Sequence, residues 1–428
     1  MNYLAADASR LARYLTQKDI MPSFGSRSLA YLLAGLLVSV SATDASSSDW
    51  LQFRGPGGSG QAAEAACPTT WSTAENLAWQ AALPGRGLSS PIVLAGRVVV
   101  TACSGIRQDR LHVLCFAETT GELLWERQFW ATGRTQTHSK TNTAAPTPVS
   151  DGATIFALFS TNDLVALDVD GNLLWLRGLA HEYPNASNSL GMASSPVIAD
   201  DSLVLMLETD SQSVALGLDA HSGQTRWELD RPLSANWTSP TLLRGASGQA
   251  IVALQSSQGI SAHDPRTGTQ LWNFERSCAT TPSGVSGGDV AYVPCNGLVA
   301  LRGNGLSATP EVLWESNRLQ PSTPSPLLAG NRLYVINRSV LKCADPATGE
   351  VLWQLRLEGD FTSSPVAAGK YIYVFSEAGV GQVIEDQGNS GQIIGGGNLN
   401  ETLLCTPAVA NDAIYVRSDQ HLFKIATQ

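Results

Sequence analysis

Histidine is scarce in this chain, with 6 among 428 residues. The 7 cysteines (Cys67, Cys103, Cys115, Cys278, Cys295, Cys343 and Cys405) include no adjacent pair, no CxxC and no CxxCH. That spacing suits neither a zinc site nor covalently attached haem. Charge is also sparse: charged residues make up 15% of the chain, the formal net charge is -10, and Lys and Arg do not cluster. Nucleic-acid binding, which needs a basic patch, finds no support. No GxSxG elbow marks a nucleophile. Past the N-terminal region, no apolar run is long enough to cross a bilayer. Wholesale disorder is excluded as well, because 43% of the residues are hydrophobic.

An odd cysteine count in an exported protein leaves at least one thiol free or paired with another molecule. Cys103 with Cys115, and Cys278 with Cys295, are close enough in sequence to bridge. Burial as small hydrophobes is the alternative for each. Export itself is read from the N-terminus. Arg27 precedes a 12-residue apolar run, Leu29 to Val40, followed by the small-residue pattern Val40-Ser41-Ala42. This reads as a secretory signal over residues 1–42, with Met21 a plausible true start. The protein is therefore expected in the periplasm or outside the cell. No cysteine near the cut offers a site for a lipid anchor.

What the chain has in quantity is 11 Trp and 39 Gly, and they recur in order. The stretch VLKCADPATGEVLW, ending at Trp353, joins two short apolar strands through an Asp…Gly turn. Similar stretches end at Trp125, Trp175, Trp227, Trp272 and, more weakly, Trp314. With Trp79 included, the spacings are 46, 50, 52, 45, 42 and 39 residues. A period of this size is that of a propeller blade. Each unit opens on Ser/Thr-Pro (Ser90-Pro91, Thr147-Pro148, Ser195-Pro196, Ser239-Pro240, Thr281-Pro282, Ser325-Pro326, Ser364-Pro365 and Thr406-Pro407). Proline is least costly at the start of a strand. Four short strands per unit predict an all-β, eight-bladed propeller of antiparallel blades over residues 77–428. The last unit has only three strands of its own, so the strand at Trp79 is expected to complete it and close the ring. The repeat Trp residues are assigned to packing between blades.

Two segments break the plan. Residues 43–76 have no period and read as a peripheral linker, with Trp50 and Phe53 pinning an irregular Gly/Pro-rich stretch against the body. The seventh unit has Gly395-Gly396-Gly397 where a Trp is due, which predicts a looser blade junction.

The Asp…Thr-Gly…Leu-Trp runs at Thr119–Trp125, Asp264–Trp272 and Asp345–Trp353 resemble the pyrroloquinoline-quinone-type β-propeller repeat. The stretch from Trp50 to Gly60 resembles the start of exported bacterial relatives, especially those of planctomycetes. The resemblance implies one of three branches: quinoprotein dehydrogenases, BamB-like envelope proteins, or uncharacterised relatives. The dehydrogenase branch implies a quinone held between a Trp and a disulfide of adjacent cysteines, with calcium beside it. Trp237 is a possible platform, but no adjacent cysteines accompany it. No cofactor or metal is therefore expected, with quinone and calcium the alternative.

Any binding chemistry should come from the face opposite the Asp…Gly turns. Two long loops there carry Arg134, His138 and Lys140, and His181, Glu182 and Tyr183, with Trp237 on the next. The expected function is a non-catalytic exported scaffold for a protein, peptide or glycan. The alternatives are the quinoprotein dehydrogenase and a hydrolase or lyase at the channel mouth.

Overall fold

The computed structural model describes residues 49–427, apart from 246 and 304–308. The signal segment and Met21 lie outside the described residues. Eight sheets follow one another along the chain, each built on four antiparallel strands. Blade 1 is typical: Ile92–Leu94 lies innermost, then Arg97–Ser104, Arg110–Ala117 and the outer Leu123–Trp130. The innermost strands of blades 2 to 7 are Val149–Ser150, Val197–Ala199, Thr241–Arg244, Val285–Gly287, Leu327–Ala329 and Val366–Ala368. Blade 8 contributes Ala408–Ala410, Ala413–Arg417 and His421–Ala426 from the C-terminus. Its fourth strand is Leu77–Ala82, whose Trp79 lies opposite Lys424. The innermost strands of blades 8 and 1 also lie together.

The middle strands are buried on both faces and carry continuous apolar runs, such as Val98–Val100 and Leu203–Leu207. The outer strands alternate, because one face meets solvent. Between blades the contact is regular. Trp314 packs over Gly349 in the next blade's turn, where φ is +70° and an added Cβ would come 2.5 Å from the indole. The indole N–H of Trp314 donates to the Pro346 carbonyl at 2.9 Å. Trp79, Trp125, Trp175 and Trp227 make the matching bond to carbonyls of Glu118, Val169, Ala220 and Pro265, and Trp353 bonds the Asp386 carboxylate. Turn and indole are thus one device. Asp345 accepts the Ala347 amide at 2.7 Å and sets the turn, and its glycine leaves room for the neighbour's ring.

The N-terminal segment corrects two expectations. Residues 61–75 have an exposed side, but they are built into the ring. Gln61 and Ala62 pair in parallel with Ala367 and Ala368, making blade 7 five-stranded. Thr70 bridges to Gly396, and Tyr373 donates to the Cys67 carbonyl at 3.1 Å. Trp71, 3% exposed, packs against Gly381 and Gly397, with its ring 5.5 Å from that of Phe375. The junction that lacks a repeat Trp is therefore filled by an indole from elsewhere in the chain. No period marked this segment because it is not a blade. Glycines 395–397 give it the space to lie against the strand.

The stretch from Trp50 to Gly60 crosses the central channel. Trp50 bridges to Val93 in blade 1, Ser150 of blade 2 donates to the Leu51 carbonyl, and Arg54 reaches the carbonyls of Gly284 and Pro326 at blades 5 and 6. Trp50 is fully buried. The ring-pinned irregular chain is as read, but its seat is the channel rather than the periphery.

Of the two candidate disulfides, Cys278–Cys295 forms. Cys103 and Cys115 remain free and buried. On their two paired strands Cys103 faces Leu111 and Cys115 faces Val99, which sets the two sulfurs four residues apart along the ladder.

Candidate functional site

Each innermost strand is entered through a Ser or Thr, and in seven of the eight blades its hydroxyl accepts an amide from the preceding blade. The Ser90 amide donates to the Thr147 hydroxyl, Thr147 to Ser195, Ser195 to Ser239, Ser239 to Ser283, Ser283 to Ser325, Ser325 to Ser364, and Ser364 to Thr406. All seven bonds are 2.9–3.1 Å long. Every blade supplies one such residue, so a belt of hydroxyls lines the channel. In blade 5 the belt residue is Ser283, which follows Pro282, and not Thr281. Each hydroxyl that accepts an amide keeps its own proton to donate.

The belt forms the wall of a cavity of about 430 Å³ that opens at the loop-rich face. Phe53 contributes to its lining from the channel-crossing segment, and Leu88, Leu190, Trp237 and Leu404 supply apolar wall. His138, Lys140 and Glu377 supply the charged and titratable groups. A second cavity, of about 480 Å³, lies where the same segment meets blades 3 and 4, toward the turn face.

The loops at the mouth are tied to one another. The His138 amide and the Thr141 hydroxyl both donate to the Leu190 carbonyl, at 3.0 and 2.6 Å. The Trp237 indole N–H donates to the Gly191 carbonyl at 2.6 Å, and its amide to the Thr280 carbonyl at 2.8 Å. Behind Thr280, the Cys278–Cys295 disulfide and the bond from the Gln255 side chain to the Ala279 carbonyl fix the loop. Trp237 is therefore a positioned wall rather than a free side chain. Lys140 reaches Glu377 of blade 7 at 2.8 Å. Burial alone would raise the Glu377 carboxyl, but hydrogen bonds from Lys140 and Thr362, with the Lys140 charge, outweigh it and hold it below its ordinary value. The His138 ring nitrogen Nδ1 accepts the Lys140 amide at 3.1 Å, which leaves Nε2 as its donor when neutral.

Of the residues selected from sequence, His138, Lys140 and Trp237 converge on this cavity. Arg134 and Tyr183 line a separate cleft of about 350 Å³ at the outer rim. Tyr183 donates to Glu228 at 2.7 Å, and its phenol is pushed up by burial and then by that carboxylate. Glu182 pairs with Arg177. His181 lies on the short helix Leu179–Glu182 and is exposed; it is not among the residues lining the mouth. Sequence reasoning missed Glu377 and the belt. Glu377 has no motif, since only the ring brings blade 7 across from the His138 loop. The belt's signal, Ser/Thr before Pro, was visible as a mark of strand starts.

One further constellation lies on blade 1, at the face toward blade 8. Ser104 Oγ is 2.7 Å from His112 Nε2, and His112 Nδ1 is 2.6 Å from Glu126. His112 is only 2% exposed. Among the described residues no group of three or more His, Cys, Asp or Glu is placed to hold a metal. The residues do not fit the quinone arrangement either. The disulfide joins cysteines that are not neighbours in sequence, and neither lines the cavity.

Comparison with known proteins agrees with the architecture. The family described as outer membrane protein assembly factor BamB matches residues 70–216, 112–306, 305–393 and 337–428. Outer membrane protein assembly factor BamB of Moranella endobia is 26% identical over 158 residues, which is 37% of this chain and 36% of that relative. The match therefore spans about a third of the relative's length. The crystal structure of BamB from Moraxella catarrhalis superposes with a TM-score of 0.57 at 18% identity, covering 82% of this chain and 97% of that one. The quinohemoprotein alcohol dehydrogenase of Comamonas testosteroni gives 0.65 at 12% identity, over 89% and 81%. At these identities the two structures show a shared fold. No helix among the described residues is long and apolar enough to cross a membrane. The family fits the export read from residues 1–42, with a periplasmic or extracellular location. The repeat, the eight-bladed ring and the family match over residues 70–428 agree: the chain belongs to the BamB family of propeller proteins.

Proposed function

We propose that this protein is a non-catalytic binding scaffold of the cell envelope whose partner engages the mouth of the channel at the loop-rich face. The single observation that carries the reading is the preformed wall there. Three consecutive loops are bonded to one another around Trp237, beside a belt of hydroxyls and the Lys140–Glu377 pair. Preorganised aromatic and polar groups are what a specific binding surface needs. A protein or peptide segment is favoured over a glycan, because the related proteins are named as assembly factors. Closure of the ring by the strand at Trp79 belongs to the same reading, since it fixes the loops of blades 8 and 1 relative to each other. The test is photo-crosslinking in the native envelope with a benzophenone residue at Leu190. A specific adduct lost in Trp237→Ala supports the reading, and an adduct that survives this change contradicts it.

A second reading rests on the hydrogen-bonded chain Ser104–His112–Glu126, which has the order of a nucleophile, a base and its orienting carboxylate. It would make the protein a serine hydrolase, with its centre on blade 1 rather than in the channel. A fluorophosphonate probe decides. Labelling of Ser104 that is lost in His112→Ala establishes this reading, and unlabelled protein removes it.

A further inference from the structure

The channel has a floor beneath its mouth. Trp50 and Leu51 bond to blades 1 and 2, and Arg54 bonds to blades 5 and 6. In a ring of eight blades those pairs stand opposite each other, so the segment spans a diameter. Phe53 lies between the two anchors and lines the mouth cavity. The second cavity, toward the turn face, shares no lining residue with the first. The mouth is therefore a blind well. A continuous chain cannot thread it, and only a chain end or a projecting side chain can reach its floor.

The well is rich in unspent donors. All of the hydroxyl belt except Thr147 lines it. Seven belt hydroxyls accept an amide, and none donates to another described residue. Ser90 is 1% exposed, and among the described residues its hydroxyl has no partner. That oxygen, unlike the sealed one of Ser194, keeps accessible surface. A buried O–H without an acceptor is costly, so these groups call for an acceptor from the well. Glu377 is the one carboxylate of the lining, and its oxygens are taken by Lys140 and Thr362. Below the floor, the buried Arg54 guanidinium lies 5.5 Å from the Phe53 ring. Among the described residues it forms no ion pair, and its charge favours an anion above it.

Resting on the scaffold reading, we propose that the well takes the free C-terminus of a partner polypeptide. The terminal carboxylate accepts from the belt, and the last side chain, an apolar one, lies against Leu190, Trp237 and Leu404. Only a C-terminal residue presents a carboxylate and an apolar side chain together. A terminal ammonium would set donors against donors. Capture of a terminal carboxylate by convergent donors is a recurring mode of peptide recognition.

The test pans random hexapeptides with a free C-terminal carboxylate, and the same library ending in carboxamide, against the whole protein. Fluorescence anisotropy then measures the enriched peptides. Enrichment is expected from the carboxylate library alone, toward apolar last residues, and amidating an enriched peptide should weaken it about 10–100-fold. Ser90→Ala breaks no hydrogen bond within the protein, so it should melt like wild type and bind the same peptide about 10-fold more weakly. Equal enrichment of carboxamides overturns the proposal, as does enrichment from neither library. Carboxylate peptides that Ser90→Ala binds as tightly as wild type overturn it too. The scaffold reading is judged separately, by the Trp237-dependent adduct from Leu190.

Discussion

Trp71→Ala is the sharpest perturbation of the ring. Trp71 sits at the one junction where the repeat supplies glycine in place of Trp, and it is 3% exposed. Burying an indole removes roughly 200 Å² from water, worth about 5 kcal/mol at ~25 cal/mol per Å². Residual structure in the unfolded chain lowers that by roughly a fifth. The indole nitrogen has no partner in its buried position, so its removal returns about 1 kcal/mol. The expected loss is about 3–4 kcal/mol, within the range for aromatic truncation in a core. Equilibrium urea unfolding followed by circular dichroism measures it. Trp353→Ala, at a regular junction, should cost about the same. Trp130→Ala, at a residue 66% exposed, should change stability by less than about 0.5 kcal/mol. Amide exchange in Trp71→Ala should quicken first in Val380–Asp386 and Gly391–Asn398, the strands it covers. A Trp71→Ala protein as stable as Trp130→Ala would refute the idea that this indole substitutes for the missing repeat residue.

Three other outcomes follow from the same structure. Replacing Cys278 and Cys295 by Ser opens a loop with a separation of 17 residues and should cost about 3 kcal/mol, read from urea midpoints, with faster amide exchange at Thr280 and Trp237. Ser325→Ala removes the acceptor of the Ser283 amide and should destabilise by about 1–3 kcal/mol, whereas Ser325→Thr should restore most of it. The Asp219 carboxyl is held down to about 2 by the Ser222 amide, then by Arg226 and the Ser222 hydroxyl. Its folded pKa is depressed, so its contribution is present above the ordinary carboxylate value and is lost as pH falls toward 2. Asp219→Asn should therefore flatten the acid limb of melting temperature against pH, with little effect on its slope near pH 7.

The ring was legible because its physics is repeated. The indole at Trp314 and the glycine at Gly349 recur at blade spacing, and periodicity is what a single sequence displays best. Trp71 was illegible for the opposite reason. It occurs once, in a segment with no period, and its partners at Gly381 and Gly397 are about 300 residues away. Arg54 was likewise hidden, since a Gly/Pro-rich stretch does not announce that it crosses a channel. At the mouth, His138, Lys140 and Trp237 were readable as loop residues on one face. Arg134 and His181 lie on the same loops, yet they do not line the mouth cavity. Loop membership fixes the face of the disc but not the radius, and the radius decides what lines the channel.

The most direct measurement of the scaffold account places a photo-crosslinking residue alternately at Leu190, on the loop-rich face, and at Glu350, in a turn on the other face. The account predicts a discrete adduct from Leu190 that disappears in Trp237→Ala, and none from Glu350. An adduct from Glu350 with none from Leu190 would contradict it.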